Sequence, residues 1–288
     1  MNKLINITKK HKKTTLFLIL FGLLLIFNFQ KENILTFITS DAKNLHELAF
    51  DTNKYRGYKI YIPENGVLEP YLVATNNFSK QGNVLLVREY LLDEPTMQQK
   101  ERTGSYYATS IPDDYLSNEF IKQLPGKIQS LIPKTKVVIR DNEKLAGSTD
   151  YKKIDRKIFL LNAYEMAMGI KPMLDEERLY IFWERNYQYR EPFLIDDFFG
   201  KVWKRKQGYW MRSDKSYTDI FTQVITGDGK LSITDIQSLN HIRPSFCLSP
   251  ELKVEKIKIS NQEIYVLKDV EFKSINEKVF EIMPWDKD

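Results

Sequence analysis

Cysteine is nearly absent. The chain has 288 residues and one Cys, Cys247, which excludes an internal disulfide and a cysteine-based zinc site. Histidine is almost as scarce. His11, His46 and His241 stand far apart in the chain, so no His-rich metal centre is expected. No internal repeat and no low-complexity tract interrupts the sequence. Apolar residues make up 42% and charged residues 28%, a balance that excludes wholesale disorder.

An excess of one charge sign is missing from most of the chain. The net charge is +5, but Lys3, Lys9, Lys10, Lys12 and Lys13 fall in the first thirteen residues with no acid among them. Removing those five from the 43 Lys and Arg leaves 38, against 38 Asp and Glu. The body is neutral, so composition lends nothing to nucleic-acid binding.

Residues 14–29 carry no charge at all. A lysine-rich flank before a long apolar run predicts an uncleaved transmembrane anchor, although sixteen residues fall just short of the roughly 17 a spanning helix needs. Lys12 and Lys13 would snorkel at one end. A cleaved signal peptide is the first alternative. Its nearest small-x-small site, Ser40-Asp41-Ala42, lies well beyond the run. A buried core helix is the second. No Cys stands close behind the run, which excludes lipoprotein processing. The lysine flank places the N-terminus in the cytoplasm and the body outside the cell membrane.

The body predicts an α+β domain. Tyr58–Ile62 alternates and is rich in β-formers, and Pro63-Glu-Asn-Gly66 supplies turn chemistry. Tyr71–Ala74 and Val84–Val87 flank the polar loop from Asn76 to Gly82 and predict a hairpin. A helix is predicted over 111–124, with Pro112 in its first turn, Asp113 and Asp114 complementing its dipole, and Tyr115, Phe120, Ile121 and Leu124 on one face. A second short helix holds Ile128, Leu131 and Ile132. Val137–Ile139 and Lys157–Leu161 read as strands separated by a polar loop from Asp141 to Asp155. Asn162 caps a helix over Ala163–Met168, closed by Gly169. Further strands are expected at Tyr209–Ser213, Ile220–Ile225 and Ile242–Leu248, and a hairpin from Val254 to Leu267.

The domain plan is a cytoplasmic basic tail (1–13), a transmembrane helix (14–29) and a spacer (30–56). One mixed domain of antiparallel strands with a helical middle (57–250) and a C-terminal β-hairpin extension (251–288) follow.

An ordered set of short motifs runs through the body. It comprises Tyr106/Tyr107 with Ser110, Tyr115-Leu-Ser-Asn-Glu-Phe120, Ile158-Phe-Leu-Leu-Asn162, Trp210-Met-Arg-Ser213, Gly227 with Gly229, and Ile242-Arg-Pro-Ser-Phe-Cys-Leu248. The set resembles a family of bacterial extracytoplasmic domains of unknown function that ends in Trp-Leu-Arg-Ser and Val-Arg-Pro-Ala-Phe. Met211, Asn162 and Ser245 depart mildly from its pattern. The closing strands are also similar to the end of C-type-lectin-like and sulfatase-modifying-factor-like domains. This likeness implies architecture and location, and no reaction.

Several residue sets carry candidate chemistry. Trp210, Arg212 and Arg243, with Tyr209 and Tyr217, would grip a carboxylate or sugar by arginine and stack it on the indole. The same residues better suit a buried Trp with arginines pinning carbonyls across the closing strands, with Asp214 and Asp219 as partners, so Trp210 and Arg243 are expected to be buried. His241 beside Arg243 offers a general base, but no Ser or Cys in a nucleophile-elbow setting lies nearby. Strand alternation places Cys247 on its face. Thr226-Gly-Asp-Gly-Lys230 imitates a calcium loop, but Val224 and Thr226 stand where carboxylates are needed. Glu176-Glu177 with Glu184, and Asp196-Asp197, read as solvated acids. The aromatics Tyr180, Trp183, Tyr187, Tyr189, Trp203, Tyr209, Trp210 and Tyr217, interleaved with Arg185, Arg190, Lys204 and Arg205, suit either core packing or a stacking surface for glycans.

The expectation is a membrane-held binding or interaction domain without catalysis, metal or cofactor, and with no nucleic acid among its partners. The partner would be an envelope protein, peptide or glycan. The alternatives are an envelope enzyme built around His241, Arg243 and Arg212, and a structural subunit of a membrane assembly.

Overall fold

The computed structural model describes residues 42–51, 57–102, 104–141, 151–168, 178–182, 190–191, 193–198, 201–214, 220–259 and 262–280. The expected transmembrane segment, residues 14–29, lies outside them. Among the described residues no helix is long and apolar enough to cross a membrane. The α+β expectation is corrected, because the described chain is mostly β-sheet with little helix.

The main sheet is built from β1 (Lys59–Glu64), β2 (Val67–Thr75), β3 (Val84–Arg88), β6 (Ile158–Phe159), β12 (Ser245–Leu248), β13 (Val254–Ile259), β14 (Gln262–Leu267) and β15 (Ser274–Ile275). Its order is β13-β14-β1-β2-β3-β12-β6, with β15 beside the start of β2. Three pairs stand apart: β4 (Thr135–Arg140) with β5 (Tyr151–Arg156), β7 (Phe193–Phe198) with β8 (Lys201–Lys206), and β10 (Phe221–Ile225) with β11 (Leu231–Asp235). The strand β9 (Tyr209–Asp214) adds to β10.

The β1–β2 turn follows from its sequence. Asn65 and Gly66 both take positive φ, 50° and 87°, the requirement of a two-residue hairpin whose twist matches its strands. Pro63 is tolerated because β14 pairs with β1 only at Ile60 and Tyr61, which leaves the proline side of the strand unpaired.

The expected helix is present but irregular. α1 (Ile111–Tyr115) passes through a π-helical turn, Leu116–Phe120, into α2 (Ile121–Gln123). The Ser110 hydroxyl caps its start by accepting from the Asp113 amide at 3.2 Å. Leu116, Phe120 and Leu124 are its buried apolar side chains, each contributing roughly 1.5–3 kcal/mol, whereas Tyr115 and Ile121 are only half-buried. Tyr115 and Gln123 would stand about 80° apart in an unbroken α-helix. The wide turn rotates them together, and Gln123 Nε2 donates to the Tyr115 hydroxyl at 3.0 Å. The second short helix is α3 (Gly126–Leu131).

Three expectations fail locally. The polar loop before Arg156 contains β5, whose exposure alternates. Residues 163–168 make one helical turn and no helix. Asn162 and Glu165 form reciprocal side-chain to amide bonds at 2.8 and 2.9 Å, but Ala167 turns to φ 59° and the chain leaves the helix. Residues 43–51, expected within a spacer, lie against the sheet. Leu45 and Leu48 are fully buried, and the Leu45 amide donates to the Leu252 carbonyl at 2.8 Å. The C-terminal hairpin forms, and β14 joins β1 in parallel.

Period two divides the main sheet. Leu72, Ala74, Leu85, Val87, Phe159 and Cys247 belong to one core cluster with Phe182, Tyr209, Met211 and Ile225. The opposite face carries Glu69, Tyr71, Arg88 and Phe246. There the Tyr71 and Phe246 rings meet edge-on at 5.3 Å.

Candidate functional site

The structure brings most of the Trp–Arg set together, and in the core. Tyr209, Trp210, Arg212 and Arg243 are each at most 3% exposed. Alternation along β9 sends Tyr209 and Met211 into the core cluster and turns Trp210 and Arg212 the other way. Trp210 Nε1 donates to the Thr96 carbonyl at 2.7 Å. Arg212 Nε donates to the Val138 carbonyl at 2.9 Å, Nη1 to the Leu160 carbonyl, and Nη2 to Glu165 at 2.6 Å. Arg243 Nε donates to the Arg88 carbonyl at 2.8 Å, and its guanidinium stacks on Tyr209 and Phe182.

These groups pin carbonyls across closing strands and offer no open face to a ligand. Tyr217 lies outside the described residues, as do Asp219, Glu176, Glu177, Glu184, Arg185, Trp183, Tyr187 and Tyr189. Of the aromatic stretch, Tyr180 is exposed while Tyr209 and Trp210 are buried.

The remaining candidates are also engaged. His241 Nδ1 lies 2.9 Å from the Leu92 carbonyl, and a carbonyl only accepts, so Nδ1 carries the proton. Cys247 is buried, and burial pushes its thiol up to about 12. The calcium-like loop is the β10–β11 hairpin turn, with Asp228 paired to Lys230 at 2.6 Å.

A pocket of about 580 Å³ opens on the other face of the main sheet. Its floor follows from strand register. Period two puts Val67, Glu69 and Tyr71 on one side of β2. Pairing sets Glu64 opposite Val67 and Arg88 opposite Tyr71. Leu92 to Thr96 form one wall, Ile111, Tyr115 and Gln123 another, and Ile242 closes the set. The Asn65 amide donates to the Gln123 carbonyl at 2.6 Å, so the helix is tied to the hairpin tip beside the opening.

Two carboxylates and one guanidinium share that floor. Glu64, Glu69 and Arg88 are 7%, 9% and 7% exposed. Arg88 Nε donates to both Glu64 oxygens at 2.9 and 3.2 Å, and Nη1 donates to the Tyr90 and Leu91 carbonyls. The Tyr71 hydroxyl adds a 2.6 Å bond to Glu64. Glu64 is thereby satisfied.

Glu69 is the surplus acid. Its Oε1 accepts from Asn276 at 3.0 Å. Its Oε2 lies 3.4 Å from Arg88 Nη2 and accepts no hydrogen bond. Burial pushes its carboxyl up to about 7; Arg88 opposes the rise, and Glu64 and Asp93 add to it. Burial opposes the charge on Arg88, but Glu64 and Glu69 outweigh it and drive its pKa up. Burial, reinforced by Glu64, also holds the Tyr71 phenol protonated.

Glu64, Glu69 and Arg88 were not among the residues singled out from the sequence. Their signal is an acid within the otherwise apolar run Val67-Leu-Glu-Pro-Tyr-Leu-Val73. A second groove, of about 530 Å³, runs between α1 and β5. Its buried Asp113 is bonded to Arg156 at 2.7 to 3.0 Å, so its buried carboxylate is already matched.

A family model described as a domain of unknown function (DUF6273) matches residues 81–250. The match takes in Arg88, the Leu92–Thr96 wall, the helix and Ile242, and begins after Glu64 and Glu69. No curated protein and no solved structure matches the chain. An uncharacterised domain family is thus borne out, and no C-type-lectin-like or sulfatase-modifying-factor-like likeness is shown.

Proposed function

The chain belongs to the family of this domain of unknown function, which spans more than half of its length, and from that premise we propose that it is a ligand-binding module without a catalytic step. The observation that carries this reading is the pocket above Glu69 and Arg88, a concave site of ligand size with apolar walls and a few convergent polar groups. The Trp–Arg set is the frame behind it. The lysine flank and uncharged run of residues 1–29 support placing the module at the outer face of a cell membrane. Protease added to intact spheroplasts would then digest the body of the chain, and its full protection would refute that placement.

A second reading has one observation in its favour. A carboxyl that titrates near neutrality suits a general acid or base, so an enzyme reading moves from His241 to Glu69. Among the described residues, however, no His and no activated nucleophile lines the pocket, which favours binding over turnover.

The test is a thermal-shift and titration screen of the full chain against small alcohols, amines, sugars and short peptides. Ile111→Trp, which fills the pocket, serves as the control. Saturable binding in the parent that the filled variant loses supports the proposal. Binding that ignores the filling, or no saturable ligand at all, overturns it. Release of a chemically changed ligand moves the assignment to the enzyme.

A further inference from the structure

Resting on that reading, we propose that the pocket takes a primary ammonium group carried on a short apolar stem, with the ammonium donating to Glu69 Oε2. The charge distribution is the first argument. Four carboxylates line the pocket, Glu64, Glu69, Asp93 and Glu94, against the single guanidinium of Arg88. Arg88 is already bonded to Glu64 and to two carbonyls, and its Nη2 reaches Glu69 Oε2 only at 3.4 Å. Asp93 and Glu94 are exposed on the Leu92–Thr96 wall, and from there would draw a cation inward. The buried Oε2 at the floor has no hydrogen-bond donor. A buried acceptor left without a donor is unfavourable, and an incoming N–H group relieves it.

The geometry narrows the cation. A hard divalent ion needs six to eight oxygens, and among the described residues no group of three metal-ligating side chains gathers. A guanidinium binds best to two parallel oxygens of one carboxylate. At Glu69 the second oxygen is held by Asn276 at 3.0 Å, and Asn276 is itself placed by its amide bond to the Leu68 carbonyl. The other oxygen, Oε2, faces Arg88 Nη2 at 3.4 Å without a hydrogen bond, and a single acceptor suits the compact point charge of an ammonium. Val67, Leu92, Ile111 and Ile242 supply apolar wall for a stem, and the volume of about 580 Å³ admits a small ligand.

The same chemistry arises from a free alkylamine and from a lysine side chain of a partner, and titration separates them. Full-length protein is titrated at pH 8 with hexylamine, hexanol, hexylguanidine and the capped tripeptide Ala-Lys-Ala. Hexylamine is expected to saturate the site and to bind about tenfold or more tighter than hexanol and hexylguanidine. Glu69→Gln should weaken hexylamine by at least about tenfold while melting no lower than the parent. Tighter binding of the tripeptide than of hexylamine assigns the ammonium to a partner lysine, and the reverse assigns it to a free amine; both support the proposal.

Equal binding of hexanol and hexylamine overturns the ammonium assignment, and so does unchanged hexylamine binding by Glu69→Gln. A calcium-induced rise in melting temperature that Glu69→Gln abolishes overturns it in favour of a metal. If neutral ligands still bind and Ile111→Trp still abolishes their binding, only this assignment fails and the binding module stands. If no ligand distinguishes the parent from Ile111→Trp, both fail.

Discussion

Arg243 and Arg88 are joined through the backbone. The Arg243 side chain donates to the Arg88 carbonyl at 2.8 Å, and the Arg88 amide donates to the carbonyl of Pro244, the next residue along, at 2.9 Å. Both main-chain polar groups of Arg88 are thus held by the Arg-Pro segment that leads into β12. The Arg88 guanidinium then lies across the pocket floor against Glu64. The motif that suggested a ligand grip instead fixes the backbone of the arginine on the pocket floor.

Arg243→Ala should therefore destabilise the protein. It leaves the Arg88 carbonyl without its donor, at about 1–3 kcal/mol, and strips the cation from between Tyr209 and Phe182. Trp210→Ala should cost roughly 3–5 kcal/mol as a core truncation, and Trp210→Phe less, since it loses chiefly the bond to Thr96. Urea denaturation of the three variants checks the order. An Arg243→Ala protein that unfolds like the parent would show that the carbonyl finds another donor.

Arg212 and Glu165 form a fully buried pair, 0% and 2% exposed at their side chains and 2.6 Å apart. Glu165→Gln removes the countercharge but keeps the shape, and breaking such a pair costs about 3–5 kcal/mol. The double variant Glu165→Leu with Arg212→Met should not restore stability. The Val138 and Leu160 carbonyls that Arg212 serves would remain unmet. Recovery in the double variant would mean that the carbonyl contacts contribute little.

How much of this was legible in the sequence depends on how far each signal reaches. The Asn65-Gly66 turn, the Val84–Val87 strand and the burial of Trp210 and Arg243 rest on local chemistry, and all are seen. The strand β5 was hidden because Tyr151-Lys-Lys-Ile-Asp-Arg156 has one apolar aliphatic residue and its outward side chains face solvent. At Asn162 the local signal was right and the outcome was not. The reciprocal cap forms, but tertiary packing turns the chain at Ala167 before a helix can propagate. The role of Glu69 was out of reach, because it depends on a register that sets Glu64 and Arg88 beside it from two other strands.

Cys247 reports on opening of the core. Its thiol is fully buried and burial drives its pKa up to about 12, so thiolate is scarce in the folded state at neutral pH. A thiol reagent should label it slowly in buffer and rapidly in urea, in step with unfolding. Rapid labelling of the native protein would contradict the core packing around β12.

Glu69 makes stability depend on pH in a direction opposite to that of an ordinary paired carboxylate. A free glutamate ionises near 4.5, whereas Glu69 in the fold ionises near 7. Between those values the folded chain holds a proton that the unfolded chain has released. Stability from this group is therefore complete below about 4.5 and is lost as pH rises through about 7, by up to about 3 kcal/mol. The charges around it come from every neighbouring element: Arg88 on β3 lowers its pKa, Glu64 on β1 and Asp93 in the wall raise it. Glu69→Gln stays neutral throughout. It should match the parent at pH 4 and exceed it at pH 8, as read from urea midpoints. Asp113, whose pKa burial also raises, contributes equally to both proteins and cancels in the comparison. Parallel pH curves for the parent and Glu69→Gln would show that the carboxylate is already matched. Divergence that develops between about pH 4.5 and 7 and then levels off would mark it as a buried carboxylate whose charge is poorly matched.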